Sequence, residues 1–93
     1  MSGLNDPLSR FLAAFRKLPT GSFRGHTSTG QYIVSKTAPV EGRSYKLVAE
    51  QLDGPVYISL NLYLTGTGAK LRPCEMPAAK VIAFVLALKP DET

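Results

Sequence analysis

The chain has 93 residues, of which 44% are hydrophobic and 19% are charged, and it carries a net charge of +4. A chain of this length has room for one hydrophobic core, and this composition is that of a globular chain instead of a disordered one. The single cysteine excludes an intramolecular disulfide, and one cysteine with one histidine excludes a zinc site of the usual kind. We therefore predict a single domain over residues 1–93, with frayed ends at 1–5 and 90–93, and with no metal or cofactor.

The first predicted element is an amphipathic helix that begins at Pro7, with Asp6 as its N-terminal cap. Its apolar residues recur at spacings of three and four, which places them on one face: Leu8, Phe11, Leu12, Phe15 and Leu18. Pro19 and Gly21 end the pattern. A helix with one apolar face is expected to pack against the rest of the domain.

From Ser22 to Cys74 apolar and polar residues alternate, which predicts strands. The predicted strands cover residues 22–26, 31–36, 44–52, 56–65 and 69–72. Residues 37–43, which include Pro39 and Gly42, are predicted as a loop. Asp53-Gly54 is the strongest hairpin signal in the chain.

The last predicted element is a helix over residues 77–88, with Pro77 at its first position. Residues 81–88 are apolar on every side of this helix, so it must be covered from more than one direction. Either the sheet and the first helix of the same chain or a partner subunit supplies that cover. The order α-β-β-β-β-β-α predicts the α+β class: a four- to five-stranded antiparallel meander with the N-terminal and C-terminal helices packed on one face.

The strand over residues 56–65 predicts one buried and one open sheet face. The buried face carries Val56, Ile58, Leu60, Leu62 and Leu64, and the open face carries Tyr57, Ser59, Asn61, Tyr63 and Thr65. Lys46, Glu50 and Arg72 join the open face if the strand register allows. This face is either a solvated surface of the usual antiparallel kind or a binding face, because tyrosines combine contact area with a polar tip. We take Tyr57, Tyr63, Asn61 and Lys46 as the candidate binding residues.

Cys74 is the candidate for thiol chemistry. It lies just before the predicted helix at Pro77, where the helix N-terminus and Arg72 would favour the thiolate and Glu75 would oppose it. A Cys74–His26 pair is the nucleophilic arrangement that the chain offers, and its spacing gives no support to it. A packing role for Cys74 is the simpler interpretation. Thiol-dependent redox activity is the alternative.

Three segments resemble small bacterial α+β proteins, some of which are labelled peptide methionine sulfoxide reductases. The segments are residues 46–54, 57–63 and Leu71-Arg72-Pro73-Cys74-Glu75-Met76-Pro77, followed by Lys80 and Val81. Those reductases share a Gly-Cys-Phe-Trp nucleophile motif or a zinc-cysteine framework, whereas this chain has no tryptophan and one cysteine. The resemblance therefore implies a bacterial protein in which the segment around Cys74 matters, and it does not imply reductase activity.

The 11 basic residues are dispersed along the chain, and the N-terminal segment does not read as an export signal. No stretch reaches about 18 apolar residues, so we expect no membrane partner. The single unpaired thiol and the lack of an export signal predict a cytoplasmic protein. The function that this sequence favours is a non-enzymatic binding or assembly module, acting as a homodimer or on a partner protein. Binding of single-stranded nucleic acid to the open face is the weaker alternative, because the chain lacks an aromatic RNA-binding signature.

Overall fold

The computed structural model describes residues 7–40, 42–66, 68–73 and 76–91. In chain order its elements are α1 (Pro7–Lys17), β1 (Gly21–Thr27), β2 (Gly30–Val40), β3 (Ser44–Gln51), β4 (Tyr57–Thr65), β5 (Gly68–Pro73), α2 (Ala78–Ala87) and β6 (Lys89–Pro90). Neighbouring strands are antiparallel, in the order β5-β4-β3-β2-β1-β6. The predicted α+β class is confirmed, with six strands in the described part instead of four to five. Among the described residues, neither helix has the length and hydrophobicity of a membrane-spanning segment.

Both helices cover the same face of the sheet, and the core lies between them and that face. α1 buries Phe11 and Phe15, and α2 buries Val81, Phe84 and Val85. The strand residues that complete the core are Tyr32, Val34, Leu47, Ala49, Ile58, Leu60 and Leu62. α1 therefore buries the apolar face that its residue spacing predicts.

The apolar helix α2 is covered within one chain. Val81, Phe84 and Val85 are buried against α1 and the sheet, and Leu88 just beyond the helix is buried as well. The outer side of the helix consists largely of alanines, together with Leu86, which is 39% exposed. The solvent-exposed side of α2 thus consists mostly of small side chains, so α2 does not require a partner subunit to cover it.

β2 extends further than the sequence predicts. We expected a loop from Thr37, but the strand continues to Val40. Its pairing with β3 shifts register between Thr37 and Val40, where Pro39 lacks the N–H that a regular ladder needs. This irregularity allows the strand to contain a proline. The strand ends at a turn in which Arg43 N donates a hydrogen bond to Val40 O, at 2.9 Å.

The C-terminal segment also differs from the expectation, which was that residues 90–93 fray. Pro90 pairs with Gly25, and Asp91 N donates to Arg24 O at 2.8 Å. The side chains of His26 and Asp91 form a hydrogen bond of 2.8 Å between Nδ1 and Oδ1. These contacts hold the chain against the edge of β1 as far as residue 91.

Replacing Gly25 by alanine should destabilise the protein by about 1–2 kcal/mol, as overpacking does. A β-carbon at this position would lie 2.9 Å from Leu88 Cδ1 and 3.1 Å from Lys89 O, so β6 would have to move. Gly66→Ala is the matched control, because a β-carbon there meets nothing within 4 Å. Urea unfolding compares the two variants, and equal midpoints would contradict the packing of β6 on β1.

Candidate functional site

The sheet has a second face that neither helix covers, and we term it the open face. Strand alternation and register place on it the residues that are out of phase with the core. They are Ser22, Arg24, His26, Gln31, Ile33, Ser35, Thr37, Ser44, Lys46, Val48, Glu50, Tyr57, Ser59, Asn61, Tyr63, Thr65, Lys70 and Arg72. All four residues that we predicted to bind therefore lie on this face, and so do Glu50 and Arg72.

The pairing of β3, β4 and β5 places cations beside two of the predicted binding residues, Asn61 and Tyr63. Lys46 lies opposite Asn61, and Asn61 lies opposite Arg72, so these three form one row across β3, β4 and β5. In the next row of the same face, Tyr63 lies opposite Lys70. Directly opposite residues have β-carbons about 4.5–5.5 Å apart. These five side chains therefore form one cluster, which we term the basic end.

Tyr57 lies at the other end of the open face. It is opposite Glu50, which is opposite Ile33 on β2. Six residue steps along β4 separate Tyr57 from Tyr63, a distance of about 20 Å at about 3.3 Å per residue. Tyr57 is 48% exposed and Ile33 is 43% exposed. The four predicted residues therefore share a face without forming one cluster, and Tyr57 belongs to a more apolar surface.

The open face is predominantly basic. Among the described open-face residues of β1 to β5, the cations are Arg24, Lys46, Lys70 and Arg72, and Glu50 is the one carboxylate. The three cations of the basic end are solvent-exposed, and Tyr63 is 42% exposed. The basic end can thus offer charged donors to carboxylates or phosphates, and an aromatic ring beside them.

Sequence reasoning missed Lys36, the buried charged residue of the described chain. It lies on β2 in phase with Tyr32 and Val34, so its side chain enters the core, where it is 5% exposed. Its ammonium donates to Phe15 O at 2.7 Å and to Leu18 O at 2.9 Å. Lys36 thus caps the C-terminal end of α1, where free carbonyl oxygens and the helix dipole favour a cation.

Burial lowers the pKa of Lys36 below its usual 10.5, because the charged form loses contact with water. Two aromatic rings replace part of that water, with Nζ 4.5 Å from the ring centroid of Phe15 and 5.9 Å from that of Tyr45. The signal in the sequence was the position of Lys36, in phase with Tyr32 and Val34. A lysine in phase with buried residues needs acceptors inside the fold.

The thiol alternative lies outside the part of the chain that the structure describes, since Cys74 and Glu75 are both outside it. His26, the residue that we paired with Cys74, is hydrogen-bonded to Asp91. Within the described ranges, no three His, Cys, Asp or Glu side chains come together in a way that could hold a metal ion.

Comparisons of the chain with protein-family models, with curated proteins and with solved structures found no match. The resemblance of the segments around Lys46, Tyr57 and Cys74 to small bacterial proteins therefore stays a prediction. Any proposal for the function rests on the geometry of this chain alone.

Proposed function

We propose that the protein is a non-enzymatic binding module whose basic end binds an acidic segment of a partner protein. The observation that carries the proposal is the strand register, which sets Lys46 and Arg72 on either side of Asn61 and sets Lys70 beside Tyr63. A partner would meet three cations, an amide and a tyrosine on one sheet surface, and the backbone would not have to rearrange.

Each group of the basic end has a use in protein recognition. Arg72 presents a planar guanidinium, which can pair with a carboxylate through two parallel N–H donors. Lys46 and Lys70 add charges that speed association and select for acidic partners. Tyr63 supplies apolar contact area with a hydroxyl, and Asn61 supplies both a donor and an acceptor.

A second copy of the chain, which the sequence left open as a homodimer, is the less favoured partner. Two open faces in contact would bring the cations of both copies together, and Glu50 is the one carboxylate that the described strands β1 to β5 place on each face. Like charges across an interface oppose association. An acidic partner removes this repulsion and pairs with the cations.

Single-stranded nucleic acid is the second candidate, and the neighbours of Tyr63 favour it. Proteins that bind single strands combine cations for the phosphates with aromatic rings for the bases. Lys70 lies opposite Tyr63, and Arg72 and Lys46 flank Asn61 in the next row. The next exposed ring on β4 is about 20 Å away at Tyr57, too far for consecutive bases. A protein partner is therefore the first choice.

Removing the three cations of the basic end should weaken binding of poly-glutamate by about tenfold. The variant carries Lys46→Ala, Lys70→Ala and Arg72→Ala. Three exposed ion pairs of about 0.2–1 kcal/mol each correspond to about 3-fold to 150-fold in affinity. The affinity is measured by NMR titration of the 15N-labelled protein with poly-glutamate and, in parallel, with oligothymidylate.

The matched control removes three exposed cations from the helix side of the protein through Arg10→Ala, Lys17→Ala and Lys80→Ala. Its net charge equals that of the first variant, so it reports long-range attraction alone. An equal loss of affinity in the two variants would contradict a site at the basic end. Tighter binding of oligothymidylate than of poly-glutamate, with a further loss in Tyr63→Ala, would support nucleic acid as the partner.

A further inference from the structure

A cavity of about 260 Å³ lies between α1 and the sheet, on the opposite side of the sheet from the open face. Its apolar wall includes three leucines, Leu12, Leu62 and Leu64, together with Phe15, Ala38 and Tyr45. Arg16 also lines the cavity and is exposed, whereas Lys36 lines it and is buried. The cavity therefore runs from the surface into the core.

Lys36 supplies this cavity with a buried cation. An ammonium has three N–H donors, and two of those of Lys36 bind the carbonyl oxygens of Phe15 and Leu18. No third acceptor for Lys36 occurs among the described residues, and the side chain lines the cavity. The third donor thus has no oxygen acceptor among the described residues, and its neighbours in the cavity wall are the rings of Phe15 and Tyr45.

The charge balance of the cavity is positive. No carboxylate lines it within the described ranges, and Arg16 adds a second cation at its mouth. The C-terminal end of α1 contributes only about half a negative charge, which does not neutralise two cations. A buried cation that lacks a counter-charge raises the free energy of the fold. An anion in the cavity would lower it.

We propose that this cavity binds a small monocarboxylate with a short apolar tail. The carboxylate pairs with Lys36 Nζ and with Arg16 at the mouth, and the tail lies along the leucines of the wall. The volume limits the size, because about 30 Å³ for each water-sized group gives about nine non-hydrogen atoms. Hexanoate fits this limit. The site does not depend on the proposed function of the open face.

The test is a titration of the 15N-labelled protein with sodium hexanoate, followed at the Nζ resonance of Lys36 and at the amides of α1 and β2. We expect a saturable shift of these resonances. Hexanol has the same tail without the charge, and it should bind at least about tenfold more weakly, because its neutral hydroxyl accepts a weaker hydrogen bond from the ammonium than a carboxylate does. The absence of a saturable shift with hexanoate, or equally tight binding of hexanol, would overturn the proposal.

Ala38→Leu fills the cavity from β2 without changing a charge, because Ala38 lines it. This variant should bind hexanoate at least about tenfold more weakly, since the tail loses its apolar contact. Ala83→Leu, on the exposed side of α2, is the matched control and should bind hexanoate like the unsubstituted protein. Lys36→Met should prefer hexanoate over hexanol less than the unsubstituted protein does, because Arg16 alone then pairs with the carboxylate. Unchanged hexanoate affinity in Ala38→Leu, or an equal loss in Ala83→Leu, would overturn the site.

Discussion

Phe15→Ala should lower the free energy of unfolding by about 3–5 kcal/mol, the range for truncation of a buried aromatic side chain. Phe15 is 1% exposed. Its ring centroid lies 5.6 Å from that of Phe11 and 5.8 Å from that of Tyr45. Lys36 Nζ lies 4.5 Å from the same ring. The substitution therefore removes packing between α1 and the sheet together with one support of the buried cation.

Tyr63→Ala is the control for this experiment, because it truncates an aromatic residue that is 42% exposed. Its loss of stability should stay below about 1 kcal/mol. Urea unfolding followed by circular dichroism measures both variants. A loss below about 1 kcal/mol for Phe15→Ala would contradict the core between α1 and the sheet.

Lys36→Met should destabilise the protein by about 2–4 kcal/mol, because each buried acceptor that loses its donor costs about 1–3 kcal/mol. The acceptors are the carbonyl oxygens of Phe15 and Leu18. Part of the loss is offset, since the variant no longer buries a charge. Lys46→Met is the matched control on the open face of β3 and should change stability by less than about 0.5 kcal/mol. Equal stability of the two variants would contradict the capping of α1 by Lys36.

The stability difference between the unsubstituted protein and Lys36→Met should depend on pH. Burial lowers the pKa of Lys36 from 10.5. Between the lowered pKa and 10.5, Lys36 is therefore protonated to a greater extent in the unfolded chain than in the folded chain. The contribution of Lys36 to stability therefore rises as the pH rises through this window. Urea unfolding of both proteins over a pH series measures the difference. A difference that shrinks toward pH 10.5 would mean that the carbonyl oxygens and the helix dipole outweigh desolvation.

Local patterns predicted most of the fold. The three- and four-residue spacing from Leu8 to Leu18 located α1, and the alternation of residues 56–65 separated the buried leucines from Asn61 and Tyr63. The membership of the open face was therefore predictable, but the row that joins Lys46, Asn61 and Arg72 was not. Register depends on the length of the turn, and residues 52–56 connect β3 to β4 where Asp53-Gly54 alone indicated a tighter hairpin.

The features that the sequence did not predict depend on contacts between distant residues. Lys36 is buried because Phe15 O and Leu18 O, far away in the chain, accept hydrogen bonds from its ammonium. β6 is too short for a periodic pattern, and it forms because the edge of β1 offers Gly25 as a partner for Pro90. Spacing within β2 places Lys36 in phase with the core, but neither the acceptors of Lys36 nor the partner of β6 is encoded within one element.

The most direct measurement of a binding site at the basic end is a map of amide shifts in the 15N-labelled, unsubstituted protein titrated with poly-glutamate. We predict that the shifts concentrate in β3, β4 and β5 around Lys46, Asn61, Tyr63, Lys70 and Arg72, and that the amides of α1 and α2 stay unchanged. Shifts of equal size on the helix side, or none on these three strands at saturating poly-glutamate, would contradict the proposal.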